Sequence, residues 1–381
     1  MATHRQTIRR HSCFFFCLFA IGFSLLAPRY SVAASIEGLY TVTLERDLSA
    51  EDPRIDAIQR AMAQVITRVT GSRSAVAAPE ILPLLQSADR YMDSFGFPSA
   101  TEARVSFNRN EVNRALANAN WPVWGAERPQ TAVWIAVLDQ FGQRAILSSG
   151  ELDTGYEHTE HMQDLLAGLR DEITGAASLR GLPYVLPRLG ARDLGFVDVD
   201  DIWSYSFDAV AAASRAYGAD GLLIGRVRES AIGTDVEWLL DIGGERRSLP
   251  GASFGEGIDW LADTFAVRYR SIGGDRPLLL RVSGVESFDD YARVMSYLDS
   301  VSILSSVDVD SFSGSELLLR VQSRGDAEVL GRTLTLGNVV RLNQPAVAFG
   351  QQPGLPSPAF TVNVLEMSVV PARVRAGSAL Q

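Results

Sequence analysis

Apolar positions recur along the chain in two rhythms, and each change of rhythm marks a new element. Residues 38–46 read as a strand. Asp52-Pro53 then opens a helix, with a side-chain acceptor followed by proline at the first helical position. Ile55, Ile58, Met62, Val65, Ile66 and Val69 keep helical spacing until Gly71 ends the run. A short apolar piece follows at 81–85. Residues 91–97 and 101–107 read as strands around Pro98-Ser99, and 110–120 as a helix with Val112, Ala115, Leu116 and Ala119 inward. Residues 131–138, TAVWIAVL, read as a buried strand. The order β-α-β-β-α-β is a split-βαβ pattern.

Past this point strands and helices alternate less regularly. Gly142 turns the chain into a hairpin at 143–149, and 160–178 is a helix carrying Leu165, Leu166, Leu169 and Ile173. A short strand at 182–187, a helix at 206–217 and a buried strand at 219–227 follow, then strands at 235–242 and 245–249 and a helix at 254–269. Gly273-Gly274-Asp275 reads as a hinge. Beyond it a strand at 277–283, a helix capped by Ser287 and Asp290, a hairpin at 302–310 and 316–322, a helix at 326–334 and a strand at 339–342 repeat the first pattern. From 344 the chain is rich in Pro, Gly and Gln and reads as a mobile tail, although 360–370 is apolar enough to dock on a sheet edge.

The predicted fold class is therefore α+β, with small split-βαβ (ferredoxin-like) units flanking a mixed α/β middle unit. The predicted divisions are a signal peptide at 1–34, an N-terminal α+β unit at 36–138, a middle α/β unit at 139–272, a C-terminal ferredoxin-like unit at 276–343 and a tail at 344–381. The 276–343 unit is expected to survive excision.

Residues 1–34 supply an address. Arg5, Arg9 and Arg10 precede an apolar run from Cys13 to Ala27, and Val32-Ala33-Ala34 places small residues before a cleavage site at Ser35. The run is short for a membrane span. Cleavage would take four of the 35 basic residues and no acid, moving the net charge from −10 to −14. So acidic a chain is a poor nucleic-acid partner. Both cysteines, Cys13 and Cys17, go with the signal, so the mature chain enters an oxidising compartment with no thiol. A periplasmic location follows, with no integral span left after cleavage.

Composition also removes chemistry. All 35 basic residues are arginine. Without lysine there is no P-loop, kinase or pyridoxal Schiff-base chemistry. Without a mature cysteine there is no thiol nucleophile. Residues 251–255 match G-x-S-x-G, but the elbow needs a buried strand before it and a histidine after it, and the last histidine is His161.

Three weaker clusters remain. His158 and His161, beside Glu157, share a face if already helical and would supply part of a metal site; alternatively they mark a polar helix start. Asp198, Asp200 and Asp201 offer oxygen ligands or a helix cap. Trp121, Trp124 and Arg128, set among Pro122 and Pro129, form either a stacking platform for a sugar or peptide or a rigid connector whose indoles plug a join. No cofactor is expected.

A family resemblance rests on several markers: Trp124-Gly125, Arg128-Pro129 and Val133-Trp134; Arg180-Gly181-Leu182-Pro183 running to Leu186-Pro187; Asp201-Ile202-Trp203; and Ala213 through Asp220 leading to Gly225-Arg226. With the block from Tyr40 to Gly71 they resemble a bacterial envelope family named as domain of unknown function 2066, over residues 36–342. The chain departs from that pattern at Arg188-Leu189-Gly190, where an acidic residue is expected. The resemblance implies an exported protein of a Gram-negative bacterium and brings no activity or catalytic residue. The middle unit is also similar to the periplasmic modules of curli-secretion-type lipoproteins, which bind other envelope proteins. The resulting expectation is a non-catalytic binding or assembly module whose partners are other envelope proteins. A carboxylate- or metal-dependent hydrolase and a peptidoglycan or glycan binder are the alternatives.

Overall fold

The two rhythms fold into an α+β protein with three sheets, antiparallel or mixed. The computed structural model describes residues 38–150, 158–190, 193, 195, 197–251, 253–343 and 364–371. The signal-like residues 1–34 lie outside the described residues.

The first sheet is antiparallel. β1 (Thr41–Glu45), β2 (Met92–Gly96) and β3 (Glu102–Phe107) lie in the order β1-β3-β2. One long helix, α1 (Pro53–Thr70), packs on it. Asp52 starts this helix by accepting from the N–H groups of Arg54 and Ile55 at 2.9 and 3.0 Å. Ile58, Met62, Val65, Ile66 and Val69 share a core with Val42, Leu44, Val105 and Phe107, whereas Ile55 is 48% exposed. Gly71 ends α1 at φ 67°, and a Cβ there would lie 2.4 Å from the Ala266 Cβ. Both the backbone angle and the contact require glycine. Two short helices, α2 (Leu82–Gln86) and α3 (Arg109–Asn118), complete this region.

The fourth strand expected here pairs elsewhere. β4 (Thr131–Leu138) lies in the second sheet, so residues 36–138 do not close the predicted split-βαβ arrangement on their own. Every residue from Thr131 to Val137 is buried, which requires cover on both faces. The first sheet cannot give that, because its outer face, with Thr43, Glu45 and Arg104, is exposed.

The second sheet adds β5 (Arg144–Ile146), β6 (Tyr184–Val185), β7 (Gly221–Ser230), β8 (Gly233–Ile242) and β9 (Glu245–Gly251), in the order β5-β4-β7-β8-β9 with β6 beside β4. β4 runs parallel to β6 and β7, and the other pairings are antiparallel. α4 (Glu160–Arg180) and α7 (Phe254–Tyr269) share a core with Val133, Ile135, Leu223, Trp238 and Leu240 on one face. α5 (Val199–Trp203) and α6 (Phe207–Ser214) cover Trp134 and Ile224 on the other. The five residues of α5 are too few to show a period, and the helix was not predicted. Trp238 is fully buried because Gly225, Gly251 and Gly257 crowd its ring; a Cβ at each would approach to 2.5, 2.8 and 2.5 Å.

The third sheet takes β10 (Arg276–Ser283), β11 (Leu304–Ser313), β12 (Glu316–Ser323), β13 (Val340–Leu342) and β14 (Val364–Val369), in the order β11-β12-β10-β14-β13. α8 (Phe288–Ser300) and α9 (Ala327–Thr335) share its core. The predicted four-stranded ferredoxin-like sheet is thus widened. β14, from the segment assigned to the tail, enters parallel to β10 and antiparallel to β13. Leu365, Met367 and Val369 alternate into the core, so this strand gains far more burial inside the sheet than on an edge. The flanking residues 344–363 and 372–381 lie outside the described residues. Among the described residues no helix is long and apolar enough to cross a membrane.

Candidate functional site

The Trp-Pro segment is a junction. Trp124 donates its N–H to Val69 O at 2.7 Å, and Val123 exchanges backbone hydrogen bonds with Ser271 at 2.9 and 2.8 Å. Glu127 accepts from the N–H and hydroxyl of Ser302 at 2.8 and 2.6 Å. One connector therefore touches the end of α1, the residues after α7 and the loop before β11. Trp121 is half-buried against the first core, while Trp124 and Arg128 are each 1% exposed. The structure does bring Trp124 and Arg128 together, with the guanidinium carbon 3.9 Å from the ring centroid, but in the interior. The Trp124 Nε1 has no acceptor among the described residues.

Arg128 reaches five carbonyl oxygens: Gly125 at 3.1 Å, Arg180 and Gly181 both at 3.0 Å, Arg68 at 2.6 Å and Trp124 at 3.2 Å. Three of these belong to the C-terminal ends of α1 and α4, where the helix dipoles favour a cation. Burial pushes its pKa down to about 9, which leaves it charged at neutral pH. Arg180, also 1% exposed, bonds Asp259 at 3.0 Å, Asp263 at 2.5 Å and Gly71 O at 2.9 Å, tying α4 to α7 and α1. Sequence reasoning missed Arg180; a basic residue in a last helical turn before Gly181 was the available signal. The cavity at this junction, beside Tyr40, Asn113, Glu127 and Ser302, measures about 20 Å³, room for a water and little more.

The histidines and aspartates serve local structure. His161 Nε2 lies 2.7 Å from Glu229 and its ring meets Phe141 edge-on at 5.3 Å. The carbonyl of His158 accepts from Gln163 at 3.0 Å, and Glu157 lies outside the described residues. Asp198 and Asp201 form a reciprocal capping box on α5, with bonds of 2.8 and 3.1 Å. Asp200 pairs with Arg144 at 2.5 Å. Among the described residues no three His, Cys, Asp or Glu side chains gather as a metal site. In the G-x-S-x-G match, Ser253 is the residue before α7 and its carbonyl accepts from Trp238 Nε1 at 3.4 Å. The preceding β9 is an exposed edge strand.

The hydrogen bond to Glu229 raises the His161 pKa above its ordinary value, and Asp139 and Asp164 add to the shift. A folded pKa above the unfolded one means a stabilising contribution that is complete below about pH 6.5 and lost as pH rises through the folded value. The denaturation midpoint of His161→Gln is therefore expected to fall below that of the parent at pH 5.5 and to meet it by pH 9. A gap that does not change with pH would rule the ion pair out as its cause.

A groove of about 310 Å³ with open, unpaired groups lies on the outer face of the second sheet, lined by Trp203, Arg226, Arg228, Asp235, Glu237 and Pro250. α5 and α6 cover β4 and part of β7 on this face, and the β8 side is left open. The strands position the charges: Arg226 stands opposite Glu237, Arg228 opposite Asp235, and Pro250 opposite Glu237. Arg226 forms an ion pair with Glu237, donates to the Trp203 carbonyl at 2.8 Å and lies 4.0 Å over the Tyr205 ring. Arg144 and Arg228 each sit 5.6 Å from the Trp203 ring centroid. Sequence reasoning placed none of these residues in a site. The period-two spacing of Arg226 and Arg228 within a buried strand was the signal that two cations share one face.

A family model described as Domain of unknown function (DUF8605) matches residues 33–125. This overturns the likeness to domain of unknown function 2066: the matching family is a different one, and the match stops at the Trp124-Gly125 pair. The markers beyond Gly125 that carried the earlier resemblance lie outside the matched segment. No curated protein matches the chain, and no solved structure does.

Proposed function

We propose that the chain is an exported, non-catalytic binding or assembly module that works in the periplasm. The observation that carries this reading is the division of labour among its polar groups. His161, Asp198, Asp200 and Asp201 are held in caps and ion pairs, and Arg128 and Arg180 bind helix ends. Two charged side chains without a partner among the described residues, Arg228 and Asp235, line the groove beside Trp203, on a rigid sheet, as recognition requires. With the earlier family likeness withdrawn, the address rests on residues 1–34 alone: an arginine-rich start, an apolar run and Val32-Ala33-Ala34. The same reading takes the C-terminal sheet as a ferredoxin-like frame with β14 inserted.

Two measurements test it. N-terminal sequencing of protein from an envelope fraction is expected to begin at or near Ser35; Met1, or lipid on Cys13, would overturn the address. Photo-crosslinking in intact cells from position 248, two residues before Pro250 on the same face of β9, is expected to give discrete adducts, whereas position 43 on the outer face of the first sheet gives none. Equal labelling from both positions would remove the groove as the contact surface.

A further inference from the structure

The groove is a two-by-two arrangement of charge in which half is left open. Arg226 and Arg228 project from β7, Glu237 and Asp235 from β8, with about 5 Å between the strands. The first row closes on itself through the Arg226–Glu237 ion pair. The second row does not. The Arg228 and Asp235 side chains are both exposed, and neither has a hydrogen bond or ion pair among the described residues; the Arg228 guanidinium lies 5.6 Å from the Trp203 ring centroid. An unpaired guanidinium and an unpaired carboxylate therefore face one another beside a half-buried indole and an exposed proline ring.

We infer that this groove binds an acidic saccharide, a sugar carrying a carboxylate, and the inference rests on the binding-module reading above. The sugar carboxylate meets the planar fork of Arg228. Hydroxyls on neighbouring ring carbons donate to Asp235, which accepts and cannot donate while ionised. The apolar C–H face of the ring lies on Trp203 and Pro250, using the flat surface an indole offers. Each other class of ligand leaves part of the site unused. A phosphate carries about two negative charges where a carboxylate carries one, and offers no ring hydroxyls to Asp235, so Asp235 and Glu237 repel it more strongly. A neutral sugar leaves the Arg228 charge without a partner. A peptide terminus satisfies the two charges and leaves the indole bare. The volume of about 310 Å³ sits at the lower end of small-molecule pockets.

The test is titration calorimetry of the purified mature chain with digalacturonate, its dimethyl ester and the dipeptide Ala-Ala. Arg228→Gln and Asp235→Asn are the variants, since both side chains are exposed and the fold does not depend on them. Digalacturonate is expected to bind, and to bind about tenfold or more weakly to Arg228→Gln, because a charged hydrogen bond is lost. The methyl ester should show a similar loss against the unaltered chain. Three results would overturn the proposal: no heat with digalacturonate, an affinity unchanged in Arg228→Gln, or Ala-Ala binding at least as tightly. Mass spectrometry of the same samples separates this idea from the reading beneath it. Cleaved digalacturonate would end the non-catalytic reading and leave the site standing. Absent binding, with crosslinks still formed in cells, would end the saccharide and leave the module.

Discussion

Arg128→Ala is expected to lower stability by about 4 kcal/mol or more, because each buried acceptor left without its donor costs roughly 1–3 kcal/mol. The five carbonyls around Arg128 include Arg68 O at the end of α1 and Arg180 O and Gly181 O at the end of α4. Alanine strands these together and withdraws a cation from two negative dipole ends, where Arg180 on Gly71 O and Arg68 on Ser178 O remain. A loss of this size is a large share of the roughly 5–15 kcal/mol that holds a typical protein folded. Arg128→Lys should recover little, since an ammonium offers one point charge and cannot span both helix ends as a planar fork does. Trp124→Ala is expected to cost about 3–5 kcal/mol, the range for truncating a buried aromatic. Trp124→Phe should cost far less, since the indole N–H has no acceptor to lose. Urea midpoints decide both. An unchanged midpoint in Arg128→Ala would mean that the joined ends of α1 and α4 do not depend on this guanidinium. An unchanged one in Trp124→Ala would return the segment to a stacking role.

Local elements were readable in the sequence wherever one short stretch decides them. Asp52-Pro53 and Gly71 bound α1 because capping chemistry acts within a few residues, and its apolar spacing names Ile58, Met62, Val65, Ile66 and Val69 as the buried stripe. β4 was visible as a strand from its apolar run. Its sheet was not visible, because pairing depends on β7, some 90 residues later in the order of this chain, and period-two patterns carry no partner label. The same limit hid β14: its alternation was legible as an apolar stretch, and its place between β10 and β13 was not.

The sites followed the same rule. Trp124 and Arg128 were conspicuous by composition, yet what makes them structural is Arg68, Arg180 and Gly181, which only the fold brings near. The Asp198 cluster resolved locally, as a cap, because its two bonding partners are three residues apart. Arg228 and Asp235 escaped notice because ordinary charged residues in strands become a site only when cross-strand register and the end of α5 place an indole beside them.

A fragment of residues 276–343 is expected to melt without cooperativity, and a fragment of residues 276–371 to melt as a single transition. The shorter piece contains α8, α9 and four of the five strands, and sequence patterning alone marks it as complete. The sheet says otherwise. β14 occupies the position between β10 and β13, pairing Leu279 through Ser283 on one side and Val340 through Leu342 on the other. Without it β13 has no partner, since its three residues pair with nothing else in the sheet. Leu365, Met367 and Val369 leave the core with it. Burying each such side chain is worth roughly 1.5–3 kcal/mol, so the three together contribute about 5–9 kcal/mol, comparable to the whole stability of a small unit. β10 would then carry an open edge of central-strand character, a template for aggregation. Circular dichroism melts of the two fragments distinguish the cases, and a synthetic peptide of residues 360–371 added to the shorter fragment should restore a transition by strand addition. A cooperative melt of residues 276–343 at the temperature of the longer fragment would show that β14 is dispensable and that the core closes over α8 and α9 alone.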